Sequence, residues 1–339
     1  MTALGGAEPQ AAAGLDLILG RCDSLRAEVF VRAQLPAGVT ADEAVLTGTL
    51  TGPDCRHAIT LPVTAKLTAV PGPPSGPATV AATSVVARAI LTEPSFWTPE
   101  LPGLYRLEAR LVVAGRDLAT WRRPVGLRRL GVRGRSLWLD GRRHVPRGLV
   151  GPADDLAAFR AASLAAVVPE PAEDFLTRAD TEGVAVLGLL TDVAGQPLDG
   201  EAAAAATLRW AWHPAVFVAI VPRVASSAAA GELAAATRGR RGTLLIAREV
   251  DGSLPPPAVP DGIDLLVVTL PAGGLPHAAW LTEPPSVPLV ARRAADDIAA
   301  AEPERPSRRP CDSLQAALAA WATAGGMGPG FDWAGYLAD

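Results

Sequence analysis

The chain has 339 residues, 49% of them hydrophobic, and a formal net charge of −4 at pH 7. This length accommodates two domains of ordinary size, and the apolar content excludes a globally disordered chain. The mildly acidic balance argues against nucleic acid or an anionic membrane surface as a general partner.

In chain order, the N-terminal run "MTALGGAEPQAAAGLDLILGR" places no basic segment before its short apolar stretch, unlike a secretory signal. No apolar run reaches the ~18 residues a membrane span needs, so a soluble, cytoplasmic protein is the expectation. Residues 14–126 read as strands and turns. Apolar and polar residues alternate in "LRAEVFVRAQL", "EAVLTGTL", "HAITLPVTAKL", "ATSVVARAIL" and "LYRLEARLVVAG", and the breaks hold Pro, Gly and Asp. The strand spacing predicts an antiparallel sandwich without the Cys–Trp–Cys pattern of antibody domains.

From residue 146 the pattern becomes strand followed by helix. Strands are expected at 146–150, 164–168, 184–190, 215–221, 243–247, 263–270, 286–291 and 325–331. Helices are expected at 153–163, 171–182, 200–210, 226–238 and 311–323. Apolar strands alternating with helices imply a parallel sheet covered on both faces. Eight of them fit a closed (β/α)₈ barrel near the short limit for that fold, trimmed where the linkers after strands five and six lack helical pattern. The fold class is therefore multidomain, β plus α/β: an immunoglobulin-like β-sandwich over 14–126, then a small (β/α)₈ TIM barrel over 127–339.

Several motifs carry a family resemblance. "FWTPELPGLYRLEARL" (96–111), "VGLRRLGVRGRSLWLDGRRHVPRGL" (125–149) and "WHPAVFVAIVP" (212–222) follow one another in the order found in glycoside hydrolase family 2. The resemblance covers nearly the whole chain from about residue 14. It implies a hairpin turning at Asp140-Gly141 in the type I′ manner, leading into barrel strand one. It also implies two catalytic glutamates, an acid/base after barrel strand four and a nucleophile after strand seven. Counting from His213-Pro214 puts Arg223 and Val224 in the first slot, and Arg292 or Arg293 lies near the second. Retaining hydrolysis needs two carboxyls about 5–5.5 Å apart. Valine and arginine supply neither, so no catalytic residue is assigned and the expectation is a pseudoenzyme. Such a protein would bind a carbohydrate or a protein partner. The alternatives are an O-glycosidase with non-standard carboxylates, Glu249 or Asp192 with Glu170, and a structural or assembly module that binds no sugar.

The residues expected after barrel strands, on the face where barrels bind ligands, are Glu170, Asp192, Arg223, Glu249, Asp251, Arg292, Asp332 and Trp333. Asp180 and Glu182 are expected only to close a helix before Gly183. Nine arginines between 122 and 147 read as a solvated hairpin face, with Trp138 turned to the core. Lys66 is the only lysine, so individual arginines carry little weight as deliberate clamps. Cys22, Cys55 and Cys311 are expected as free thiols. The four histidines show no metal spacing, and neither a metal nor a cofactor is expected.

Overall fold

A computed structural model of the chain describes residues 14–71, 83–151, 154–293, 305–325 and 332–339. These fall into two compact units. One holds the chain up to Asp54 together with Thr60–Ser95 and Tyr105–Val125. The other holds Cys55–Ile59, Phe96–Leu104 and Gly126–Asp339.

The first unit is one antiparallel seven-stranded sheet. Its strands are β1 (Leu15–Cys22), β2 (Arg26–Gln34), β3 (Ala44–Asp54), β4 (Val63–Val70), β5 (Ser84–Thr92), β6 (Leu104–Val113) and β7 (Arg116–Val125). Their order, β1-β2-β5-β4-β3-β6-β7, joins the four-strand and three-strand sheets of a constant-type immunoglobulin sandwich. The joint is β4, whose Val63–Leu67 half pairs with β3 while Thr68–Val70 pairs with β5. The sheet is thus curled over an alternating pattern. In β6, Tyr105, Leu107, Ala109 and Leu111 are buried, while Arg106, Glu108 and Arg110 face out.

The second unit opens with a three-stranded sheet: β8 (Leu130–Arg133), β9 (Ser136–Leu139) and β10 (Arg142–His144). Asp140 (φ 48°) and Gly141 (φ 77°) both take the left-handed backbone that a type I′ turn requires. The core-facing residues of β9 are Leu137 and Leu139. Trp138 points the other way, half-buried under the Arg133 guanidinium 4.8 Å from its ring, because strand alternation allows only one of the two sets inward.

Eight parallel strands then close a barrel: β11 (Arg147–Val150), β12 (Ala165–Pro169), β13 (Val186–Leu189), β14 (Val216–Val221), β15 (Leu245–Asp251), β16 (Leu265–Leu270), β17 (Leu289–Arg293) and β18 (Gly335–Ala338). Every residue of β14 is buried, as a strand covered on both faces must be. The helices are α1 (Leu156–Ala161), α2 (Glu173–Glu182), α3 (Gly200–Trp210), α4 (Ser227–Thr237), α5 (Ala279–Thr282) and α6 (Arg309–Ala324). Side chains of Asp155, Asp199 and Ser226 cap α1, α3 and α4 by accepting the N–H three residues on. Gly183 ends α2 in the left-handed conformation. No helix lies between β15 and β16, and only the short α5 follows β16, so the barrel is trimmed where the linkers lack helical pattern.

The eighth strand needs correcting. Of the span 325–331, residues 326–331 lie outside the described residues, and Gly325 closes α6. The strand that completes the barrel is Gly335–Ala338, all four residues buried, paired with β17 and β11.

Candidate functional site

Register fixes which side chains line the barrel interior. A Cβ on Gly188 would meet the buried Trp210 ring of α3 at 2.7 Å, so Gly188 faces the helices and its neighbours Leu187 and Leu189 face inward. Parallel partners share a face. The ladder therefore runs inward from Leu187 to Val218, and its parity carries through Leu245 and Ala247 to Leu265 and then Leu289's neighbours. Counting by twos along β15, β16, β17 and β18 places Glu249, Asp251, Thr269, Arg292 and Asp339 on that interior side. Arg248 and Arg293 fall on the outer side.

At the C-terminal mouth these interior residues form one network. The Glu249 carboxylate accepts from Thr269 Oγ1 at 2.7 Å, from Arg292 NH1 at 3.0 Å, and from the Arg223 N–H at 3.3 Å. The same Arg292 guanidinium donates through Nε and NH2 to the two Asp339 oxygens at 2.9 and 3.0 Å, a two-pronged, charge-assisted pairing. Arg292, Glu249 and Asp339 side chains are 15%, 11% and 22% exposed. Burial opposes the arginine's charge, but its bonds and charge pairs with Asp339 and Glu249 together hold it above its ordinary pKa. Asp251, on the rim, accepts from the Ser253 hydroxyl and N–H and lies 3.5 Å from Arg223 NH1. Those bonds hold its carboxyl below the usual range.

Four of the residues singled out in the sequence, Arg223, Glu249, Asp251 and Arg292, therefore meet in one place. The others do not join them. Glu170 is exposed, with its backbone N–H bonded to Leu189 O. The Asp192 carboxylate is occupied by its own turn, accepting from Ala194 and Gln196 N–H. Val224 stands 71% exposed beyond the end of β14. Asp332 and Trp333 precede β18 rather than follow it, which places them at the opposite, N-terminal end of the strand. There Asp332 pairs with Arg143 of β10, and Trp333 is buried. The sequence reading missed Thr269 and Asp339. Thr269 is the single polar residue of "LLVVTL"; Asp339 ends "GYLAD", four apolar residues closed by an acid, a pattern that "REVD" of β15 also approaches.

A second buried polar group sits near the start of β14. Asp180 accepts from Ala215 N–H at 2.9 Å and faces His213 Nδ1 at 2.7 Å. His213 Nε2 lies 3.1 Å from Glu173 Oε1. Trp97, fully buried, donates its indole N–H to Asp180 O. Arg128 donates to the carbonyls of Pro214 and Val216 and to Thr243 Oγ1, and burial pushes its pKa down to about 9. Asp180 thus ties α2 to β14 as well as standing near the helix end, and Arg128, buried, and Arg147, with its side chain 18% exposed, depart from a solvated arginine face. Among the described residues no group of three His, Cys, Asp or Glu could hold a metal ion, and no helix is long and apolar enough to cross a membrane.

By sequence, the chain matches no family model and no curated protein. By structure it is similar to solved glycosidases. A β-glucuronidase from Ruminococcus gnavus, in complex with D-glucaro-δ-lactam, aligns with a TM-score of 0.64 at 12% identity, over 96% of this chain and 60% of that one. A Bifidobacterium dentium β-glucuronidase gives 0.58 at 14%, over 96% and 59%. A glycosyl hydrolase family 2 member from Bacteroides cellulosilyticus gives 0.56 at 14%, over 82% and 40%. The chain therefore spans 60% or less of the length of these structures. At these identities the likeness is one of fold: a curled antiparallel sheet followed by an eight-stranded parallel barrel, as in glycoside hydrolase family 2.

Proposed function

We propose that this chain has a glycosidase-type barrel without glycosidase chemistry, and that it binds a partner at the barrel's C-terminal face. The observation that carries this reading is the Arg292 guanidinium bonded to both Glu249 and Asp339 at the mouth. Retaining hydrolysis needs one carboxyl carrying a proton and one free to attack. Arginine offers donors and no acceptor, and here it stands between the two carboxyls that share this face. The positions counted as catalytic slots, Val224 and Arg292, supply no acid either.

The rim suggests the class of partner. Val193, Val224, Leu254 and Leu275 are exposed and follow β13, β14, β15 and β16 in turn. They are aliphatic, whereas sugar rings pack best on aromatic faces, so a protein surface is the favoured partner over a carbohydrate. Localisation in the cytoplasm remains part of the proposal, on the grounds that Cys55 and Cys311 are free, buried thiols.

The test is turnover of a panel of chromogenic glycosides, galactosides and glucuronides included, by the purified chain and by Glu249→Gln. No turnover by either is expected. The second reading, an active hydrolase, is favoured by Glu249 and Asp339 sharing the interior face. It would win if the native chain cleaves any substrate and Glu249→Gln does not. Binding to a glycan array would replace the protein partner with a sugar.

A further inference from the structure

A cavity of about 350 Å³ opens at the other end of the barrel, beside the N-terminal ends of β11, β12 and β13. Its lining includes His144, Arg147, Arg160, Arg308 and Glu100, with Pro146 and Leu164 among the apolar walls. The volume is within the range of small-molecule sites, roughly 300–1,000 Å³.

The charges around it do not cancel. Arg147 is paired, donating to Asp312 and Gln315. Arg160 donates only to the backbone carbonyls of Pro99, Glu100 and Glu182, which fix its position and leave its charge without a carboxylate partner among the described residues. Arg308, at the residue before α6, makes no side-chain cap bond to the helix, and its Nε is buried and bonded to nothing among the described residues. His144 Nε2 is likewise buried and unbonded. Burial lowers the pKa of His144, Glu100 opposing, so the ring is neutral near pH 7 and able to donate one N–H. Buried donors of this kind ordinarily have partners. The lining thus holds two arginines without a carboxylate partner among the described residues and one acid, Glu100, and the start of α6 beside Arg308 adds to the positive potential.

We propose that this cavity binds a small oxyanion, the phosphate or carboxylate group of a compact molecule, through Arg308 and His144, with Arg160 contributing charge. Both groups present flat or tetrahedral oxygens to which guanidinium donors are matched. The site is separate from the Glu249–Arg292–Asp339 network and does not depend on the reading of that face.

The test is thermal unfolding of the full chain in rising sodium phosphate and, separately, sodium malonate, at constant ionic strength set with sodium chloride. A saturable rise in melting temperature is expected with at least one of the two, and the salt that saturates at the lower concentration identifies the preferred group. Arg308→Gln and His144→Gln, each checked for native circular dichroism, should move the midpoint roughly tenfold or more. A rise that never saturates and is equal in the native chain and both variants is the general effect of excluded salts, and overturns the proposal. So does the absence of any rise.

Discussion

Arg292 lies between two carboxylates in a place with little access to water, and that position sets what its loss would do. Arg292→Ala leaves Glu249 and Asp339 partly buried with no counter-charge. Breaking a buried ion pair on one side costs about 3–5 kcal/mol, and we expect a loss of that order in urea unfolding. Adding Glu249→Gln to Arg292→Ala should recover part of the loss, because one of the uncompensated charges goes with it. His213 gives a second prediction at this scale. Burial works against its protonation, but Asp180 and then Glu173 outweigh that and raise its pKa above 6.5. A raised histidine pKa gives stability that is fully present below 6.5 and is lost as pH climbs through the folded value. The melting temperature should therefore fall over that interval above pH 6.5, and His213→Gln should flatten the trend. Both residues were visible in the sequence, His213 as the start of "HPAVFVAIV" and Arg292 as an oddity after strand seven. Their pairings were not: that of Arg292 with Glu249 and Asp339 depends on barrel register, and that of His213 with Asp180 on how a helix docks against a strand, neither of which a local pattern encodes.

Among the elements, the strands with unbroken apolar runs were the most legible. β14 and β16 fall within one or two residues of where "AVFVAIV" and "IDLLVVTL" place them. The eighth strand was not legible, since "GYLA" is short and a glycine-rich span before it offers a competing turn pattern. That displacement moved Asp332 and Trp333 to the wrong mouth and hid Asp339. A helix end was readable at Asp199, whose side chain caps the helix expected and found at 200–210. The packing of a helix on the barrel wall gives the prediction here. Gly188 of β13 lies under Trp210 of α3, both inside the core, and a Cβ would approach the ring to 2.7 Å. Gly188→Ala must shift a fully buried indole, and overpacking of that kind costs about 1–3 kcal/mol. Calorimetry on the variant should show the loss without a change in the response to phosphate or malonate.

Across the whole molecule, the order of sandwich and barrel could be read from the change of period near residue 146. The membership of each unit could not. The barrel unit recruits Cys55–Ile59 and Phe96–Leu104 from within the span read as sandwich. The second of these inserts Trp97 into the barrel core, edge-on to Phe217 with ring centroids 5.9 Å apart. It also supplies the Pro99 and Glu100 carbonyls that hold Arg160. A fragment of residues 126–339 should therefore melt well below one of residues 96–339, a difference circular dichroism would resolve; truncating a buried tryptophan alone costs about 3–5 kcal/mol. The sunken placement of the Glu249–Arg292–Asp339 contacts has one more consequence. Mobile ions weaken attraction between exposed charges, with a reach of about 10 Å at 0.1 M, but act far less on partly buried ones. Raising sodium chloride should loosen outlying pairs such as Arg122 with Glu108, both largely exposed, and leave the mouth of the barrel as tightly fastened in brine as in dilute buffer.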